Sequence, residues 1–166
     1  MINIIKENFR RALFALIFSI ITIGTLSFLS FETPYGLFLA GSFGSSMVLL
    51  FGYPESPFAQ PKNVFFGHLV TSVVGVFILK FLPADQFLQI AIAVGLGIFL
   101  MILLGVTHPP AGGNPIVIIL GAVSYDFLLN PIITGSIIII VYAIILNRFI
   151  LKKKYPSNFK SWFNKF

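Results

Sequence analysis

The stretch THPPAGGNP, Thr107–Pro115, interrupts an almost purely apolar sequence and decides how the chain folds around it. GIFLMILLGV precedes it and IVIILGAV follows it. Proline donates no backbone hydrogen bond and cannot continue a helix, so Pro109 and Pro110 are predicted to end the preceding helix sharply. Asn114 is a favourable N-cap and Pro115 a favourable first helical residue, so a new helix is predicted to start there. The N terminus of that helix would present backbone N–H groups, which attract anions.

The composition is that of a membrane protein. Of the 166 residues, 57% are hydrophobic and 10% are charged, whereas soluble domains average about 45–50% apolar and about 25% charged residues. The sequence contains no cysteine, which excludes disulfides and thiolate metal sites. The net charge of +6 comes mainly from basic residues gathered at both ends of the chain. This placement is typical of membrane flanks and argues against nucleic-acid binding.

The apolar runs predict an all-α, polytopic transmembrane helix bundle of about six membrane elements, of which one or two are broken or half-helices. A spanning helix needs about 20 apolar residues. The predicted elements are residues 12–30, 34–51 (opened by Pro34), 64–82, 87–106, 115–129 and 131–151. The fifth is short and is either a full crossing or a half-helix completed by its neighbours.

Charge placement predicts the orientation. Six crossings with both termini in the cytoplasm put nearly all Lys and Arg residues on the inner side, whereas five crossings would put the Lys-rich tail outside. We therefore expect a multi-pass protein of the cell (inner) membrane with cytoplasmic termini.

The chain divides into a transmembrane domain, residues 1–151, and a basic, aromatic tail, residues 152–166. In the tail, Phe159, Trp162, Phe163 and Phe166 follow the spacing i, i+3, i+4, i+7 among lysines. This pattern predicts a short interfacial helix on the cytoplasmic membrane surface. A frayed tail is the alternative.

A weak internal repeat relates the two halves of the chain. Thr33, which follows the first span, lies 74 positions before Thr107, which follows the fourth, and the same offset carries Arg11 onto Asp85. Three elements per half would make an inverted 3+3 repeat, and interrupted helices at matching positions of such repeats indicate a transport site. Chance similarity is the alternative.

The second element contains small residues at a helical spacing, namely Gly36, Ala40 and Gly44. Either they allow another helix to pack closely, or GSFGSS, residues 41–46, unwinds locally to line a polar path.

Three blocks resemble the HPP family of small integral membrane proteins. They are HPPAGGNP (108–115), GSFGSSMVLLFGYPESPFAQPKNVFFGHLVTSVVG (41–75) and FLLNPIITGSIIIIVYAII (127–145). Plant plastid members of this family are associated with nitrite transport. The resemblance therefore implies a transporter or channel for a small inorganic anion, nitrite foremost, or nitrate or a formate-like anion.

The candidate substrate-binding residues lie in the interruption Thr107–Pro115, here called the break, in the link SPFAQPKN (56–63), and in the second and third spans. They are Thr107, His108, Pro109, Pro110, Gly112, Asn114, Asn63, His68, Ser42, Ser45 and Ser46. His68 is an ionisable group inside a span and so a functional candidate, or else a neutral histidine in a packed interface. Because histidine titrates near neutrality, His68 or His108 could carry a proton alongside an anion.

No enzymatic activity, cofactor or metal is expected. Two histidines alone make a poor metal site, and the carboxylates fall in loops. The expected partners are the lipid bilayer and a small anion, and the sequence is compatible with a monomer or a homo-oligomer. The alternative function is a non-transporting scaffold or regulatory subunit of a larger membrane complex.

Overall fold

The computed structural model describes residues 2–157, and every regular element in this range is helical. The α-helices are α1 (Ile2–Phe31), α2 (Gly41–Met47), α3 (Pro61–Phe81), α4 (Gln86–Leu103), α5 (Asn114–Leu120) and α6 (Thr134–Ile144). Wider π-helical turns follow α2 at Val48–Gly52 and flank α6 at Leu128–Ile133 and Ile145–Ile150. Short 3₁₀ turns cover Pro57–Ala59 and Pro109–Gly113. The polytopic helix bundle predicted from the sequence is confirmed.

Within residues 2–157, four helices are long and apolar enough to cross a membrane. They are Asn3–Phe31, Pro61–Phe81, Gln86–Leu103 and Leu128–Ile150, with Gly41–Gly52 as a shorter apolar helix. In the predicted fifth element, residues 115–129, only α5 forms a separate helix, because residues 126–129 already belong to the start of the last helix. At about 1.5 Å per residue, α5 extends roughly 10 Å and covers only part of a hydrocarbon core about 30 Å thick. It is therefore a half-helix, which was one of the two predicted alternatives.

The second helix begins at Gly41, so its predicted start at Pro34 was wrong. Residues 36–40 are non-helical, and Gly36 adopts a φ of 98°, which interrupts a right-handed helix. The Ser30 hydroxyl then accepts hydrogen bonds from the backbone N–H groups of Phe38 and Leu39, at 2.9 and 3.1 Å. These bonds satisfy amides that a helix would otherwise have paired.

The GSFGSS segment, residues 41–46, is helical, so the unwinding lies just before it. A Cβ placed on Gly41 or Gly44 would meet nothing within 4 Å, so neither glycine is needed for a tight helix crossing. The close contacts lie elsewhere. A Cβ on Gly75 would come within 3.0 Å of Pro115 in α5, and one on Gly97 within 3.3 Å of Thr71.

The first helix begins at Ile2 rather than at residue 12, because the polar residues before the apolar run continue the same helix. Helices α1, α2 and α6, from opposite ends of the chain, pack around a cluster of buried apolar side chains that includes Leu26, Phe43 and Ile139. The central helix is α3. Of the residues in its membrane-spanning stretch, 50% are buried inside the protein, against 17% in those of α1 and α4. Polar residues of α3 are consequently enclosed by protein, whereas α1 and α4 present apolar side chains outward.

The helix boundaries match between the two halves. Gly41 and Asn114, the first residues of α2 and α5, are 73 positions apart, and both helices have seven residues. Pro61 and Thr134, where α3 and α6 begin, are also 73 positions apart. These boundaries fit the predicted three-element repeat at an offset of 73 rather than 74.

The tail prediction falls mostly outside the described residues, because Phe159, Trp162, Phe163 and Phe166 all lie beyond residue 157. The described part, residues 152–157, is not helical. It packs back onto the protein through Tyr155, which is buried and donates a 2.8 Å hydrogen bond to the Ala59 carbonyl.

Candidate functional site

The break between α4 and α5 packs directly against α3 because α3 has a glycine at the point of contact. A Cβ on Gly67 would lie 2.7 Å from the Cβ of His108 and 3.1 Å from the Val106 carbonyl oxygen. The Asn63 amide, one turn earlier on α3, donates a 2.9 Å hydrogen bond to the Thr107 carbonyl. Together these contacts bring His108 into the interior, where its side chain is buried.

His108 connects the link, residues 56–63, with α2. Its Nδ1 lies 2.8 Å from the Phe58 carbonyl oxygen and its Nε2 lies 2.9 Å from the Ser46 hydroxyl. Burial lowers the pKa of His108 to about 4, and the hydrogen bond to the Phe58 carbonyl opposes this shift. His108 is therefore neutral at physiological pH.

His68 lies on the other side of the same serine. Its Nε2 is 3.1 Å from the Ser46 hydroxyl, and the two imidazole rings are 4.9 Å apart between centroids. Phe43 packs edge-on against the His68 ring, and the Ser42 hydroxyl lies 3.5 Å from its Nδ1. Ser46 thus bridges two buried histidines that come from different parts of the chain.

Asn114 closes the cluster from the start of α5. Its side-chain nitrogen lies 3.0 Å from Ser72 Oγ, 3.2 Å from Thr71 Oγ1 and 3.1 Å from His68 Nδ1. It also lies 3.2 Å from the His68 carbonyl oxygen. Because a carbonyl only accepts, the amide nitrogen rather than the oxygen faces α3.

The predicted N-cap role of Asn114 was wrong. The cap of α5 is Gly113, and no side chain caps this helix, because the Asn114 side chain is used to attach α5 to α3. The third helix, predicted from residue 64, begins at Pro61 after the N-cap residue Gln60, so Asn63 lies within its first turn. Asn63 connects the link to the break.

The structure brings together Ser42, Ser46, His68, His108 and Asn114 in one buried network. Other candidates surround it. Asn63 and Thr107 join the link to the break, and Pro109, Pro110 and Gly112 form its 3₁₀ turn. Ser45 lies on the exposed face of α2.

Sequence reasoning missed Thr71, Ser72 and the Phe58 carbonyl. Thr71 and Ser72 are buried and lie one turn after His68. His68, Thr71 and Ser72 are three polar residues within about one turn of an otherwise apolar span, and this clustering could have identified them. The role of Phe58 comes from its backbone, which no side-chain pattern predicts.

The network is rich in hydrogen-bonding groups and contains no carboxylate. Within residues 2–157, no group of three or more His, Cys, Asp or Glu side chains comes together that could hold a metal ion. The arrangement can bind a small polar species or transfer a proton.

Comparison with known proteins identifies a membrane family. The profile described as "HPP, transmembrane region" matches residues 5–156. Two transmembrane proteins of Dictyostelium discoideum are each 37% identical to this chain, over 125 residues (71% of this chain, 44% of the relative) and 127 residues (72% and 41%). The chain thus spans less than half the length of these curated relatives. No solved structure gives a significant match.

Proposed function

Because this chain belongs to the HPP transmembrane family, we propose that it is an integral membrane transporter or channel for a small inorganic anion. Nitrite is the first candidate, followed by nitrate and formate-like anions. The polar path runs along the break Thr107–Pro115 and the inner link, residues 56–63. The protein resides in the cell (inner) membrane, with both termini in the cytoplasm.

The observation that carries this proposal is the convergence of polar side chains on one buried point. Ser46, His68, His108 and Asn114 come from α2, α3, the break and α5, yet they form one hydrogen-bonded network. Burying polar side chains inside a membrane protein costs free energy, so a network of this size favours a functional site. A site that offers neutral hydrogen-bond donors and has no carboxylate suits a small anion better than a cation.

The fold supports the same proposal. Two short helices of seven residues, each preceded by a non-helical segment, occupy matching positions in the two halves. In transporters built from inverted repeats, such interrupted elements lie next to the substrate near the middle of the membrane.

Catalysis is a weaker proposal than transport. An intramembrane hydrolase would need a nucleophile activated by a base that a third group orients. Ser46 and the two histidines could supply the first two, but both histidines contact the same hydroxyl and no carboxylate orients either ring within the described network. We therefore propose that the protein is not an enzyme.

The test is anion uptake into proteoliposomes that contain only this protein. Nitrite, nitrate, formate and chloride would be compared for the wild type, the double variant His108→Ala/Asn114→Ala and the control Ser124→Ala, which removes an exposed hydroxyl from the loop after α5. We expect selective uptake that falls at least tenfold in the double variant and persists in the control. Absence of uptake of all four anions by folded protein would favour the scaffold or regulatory-subunit alternative.

A further inference from the structure

The hydrogen-bond partners of the two buried histidines leave little freedom in where their protons lie. At one end of the network, His108 Nδ1 faces the Phe58 carbonyl oxygen at 2.8 Å. A carbonyl can only accept, so Nδ1 carries the proton and donates it. In neutral His108 the other nitrogen, Nε2, must then accept, and the Ser46 hydroxyl at 2.9 Å is its donor.

This assignment extends to His68. When the single hydrogen of the Ser46 hydroxyl is directed to His108 rather than to the Ser42 carbonyl oxygen, its oxygen accepts from His68 Nε2 at 3.1 Å. His68 therefore carries its proton on Nε2, and its Nδ1 accepts from the Asn114 amide nitrogen at 3.1 Å. All the hydrogen bonds from Asn114 to Phe58 consequently point in one direction.

From this geometry we infer that the protein moves protons across its buried core through a His68–Ser46–His108 relay. The inference deepens the proposed function, because it makes the proton the second species that the anion site handles. It rests on the directed order of donors and acceptors and on the burial of all three side chains.

The transfer balances proton by proton. A proton arrives at His68 Nδ1, and His68 passes its Nε2 proton to the Ser46 oxygen. Ser46 at the same time gives its own hydrogen to His108 Nε2. His108 then releases its Nδ1 proton toward the inner link. One proton has entered and one has left, and no covalent bond other than N–H and O–H has changed.

Existing groups can provide hydrogen bonds for a doubly protonated His108. When both nitrogens of His108 carry protons, Ser46 must accept from Nε2, and its hydrogen needs another acceptor. The Ser42 carbonyl oxygen lies 3.1 Å from the Ser46 hydroxyl and supplies one. A rotation of one hydroxyl therefore switches the relay between its neutral and charged states.

The groups at the two ends of the relay, the Asn114 amide and the Phe58 carbonyl, favour the return of both rings to their starting tautomers. After one transfer, His68 Nδ1–H would face the Asn114 amide donor, and the bare Nδ1 of His108 would face the Phe58 carbonyl. Both pairs are mismatched, so both rings gain hydrogen bonds by returning to the starting tautomers.

The surroundings of the relay are uncharged. The groups that contact the two rings belong to Ser42, Phe43 and Ser46 of α2, to Phe58 of the link and to Asn114 of α5. Within residues 2–157, the titratable group that faces each histidine is the other histidine. Ser42, slightly exposed and 3.5 Å from His68 Nδ1, marks the entry side.

The experiment measures proton and anion movement separately in the same proteoliposomes. An enclosed pH-sensitive dye would report protons while potassium and valinomycin set the membrane potential. Nitrate and chloride would serve as the anion probes, because their acids are fully ionised and do not leak as neutral molecules. Protein-free vesicles would give the background.

Two variants interrupt the relay differently, and a third is the control. Ser46→Ala removes the bridge between the rings. His108→Asn retains an N–H that can reach the Phe58 carbonyl but cannot pass on a proton. Ser124→Ala removes an exposed hydroxyl from the loop after α5. We expect proton flux to fall at least tenfold in the first two variants and to match the wild type in the third.

The outcomes separate the two proposals. Wild-type protein that moves an anion without protons, or a folded Ser46→Ala or His108→Asn variant with normal proton flux, would overturn the relay. Proton flux without uptake of nitrite, nitrate, formate or chloride would support the relay and remove the anion proposal. If Ser46→Ala does not fold, His108→Asn and the wild-type flux still decide.

Discussion

At the residue scale, the site depends on the absence of a side chain as much as on the polar groups. Gly67 is the position at which the break meets α3, and His108 lies against it with no room for a methyl group. The distances of 2.8 and 2.9 Å from the His108 ring to Phe58 and Ser46 hold only while that contact is kept. A glycine is required here for close approach rather than for an unusual backbone conformation.

We therefore predict that Gly67→Ala impairs transport while the protein still inserts. The added methyl would displace the His108 Cβ, at a cost of about 1–3 kcal/mol for overpacking. Uptake in proteoliposomes should fall at least tenfold, and the unfolding temperature in detergent should decrease. Gly95→Ala is the matched control, because a Cβ there meets nothing within 4 Å. Equal uptake by the two variants would contradict the prediction.

At the element scale, the second and fifth elements differ from ordinary spanning helices in the same way. Each has a helix of seven residues after a non-helical segment, residues 36–40 before α2 and the 3₁₀ turn Pro109–Gly113 before α5. Non-helical backbone is tolerated at membrane depth only where protein or water satisfies its polar groups. Ser30 does this for Phe38 and Leu39, which explains how the chain can leave a helix there.

Whether the fifth element completes a crossing can be tested by labelling, since the chain contains no cysteine of its own. Glu55 and Asp126 are both exposed; Glu55 lies just before the link, residues 56–63, and Asp126 lies after α5. With six elements, a membrane-impermeant maleimide should label Glu55→Cys only from the cytoplasmic side and Asp126→Cys only from the outer side. Labelling of both from the same side would mean that α5 and the residues after it do not cross. The cysteine-free parent should give no signal.

At the scale of the whole molecule, the segment after the last helix, residues 152–157, packs against the link that contacts the site. Tyr155 donates to the Ala59 carbonyl, and the Ser157 backbone N–H donates to Gln60 Oε1 at 2.9 Å. The Gln60 amide in turn binds the carbonyls of Pro54 and Ser56. The link held in this way contains the Phe58 carbonyl that contacts His108. Residues far apart in sequence therefore set the position of one relay group.

Tyr155 predicts a pH dependence of stability. Burial raises the pKa of its hydroxyl, so at alkaline pH the folded protein keeps a proton that the unfolded chain, with a pKa of about 10, loses. The stabilisation by Tyr155 is complete below pH 10 and declines as the pH rises above it.

Tyr155→Phe should cost about 0.5–1.5 kcal/mol near neutral pH, through the lost hydrogen bond to Ala59. The stability difference between wild type and variant should shrink between about pH 10 and pH 12. Unfolding temperatures in detergent at a series of pH values would measure this. Tyr35→Phe, at an exposed position, should follow the wild-type curve. If the stability difference between wild type and Tyr155→Phe stayed constant over the alkaline range, the Tyr155 hydroxyl would not be buried in its neutral form.

The membrane class, the helical architecture and most helix positions could be read from the sequence, because they depend on local composition. Apolar runs about 20 residues long can only be helices in a bilayer. The prolines of residues 107–115 end α4 wherever the rest of the chain lies. The predicted start at Pro34 failed because proline permits a helix start without requiring one. Gly36 and the hydroxyl of Ser30 made a non-helical path available instead.

The individual polar residues of the site were also visible in the sequence, since few polar groups interrupt these apolar runs. Their arrangement was decided by the tertiary structure alone. Ser46 lies 22 positions from His68 and 62 from His108, and it contacts both rings only because Gly67 lets the break approach α3. The direction of the hydrogen bonds depends further on a backbone carbonyl, that of Phe58, which every residue type would supply equally. Local patterns determine which elements form, whereas contacts between distant residues depend on how closely those elements pack, and this is a property of the assembled bundle.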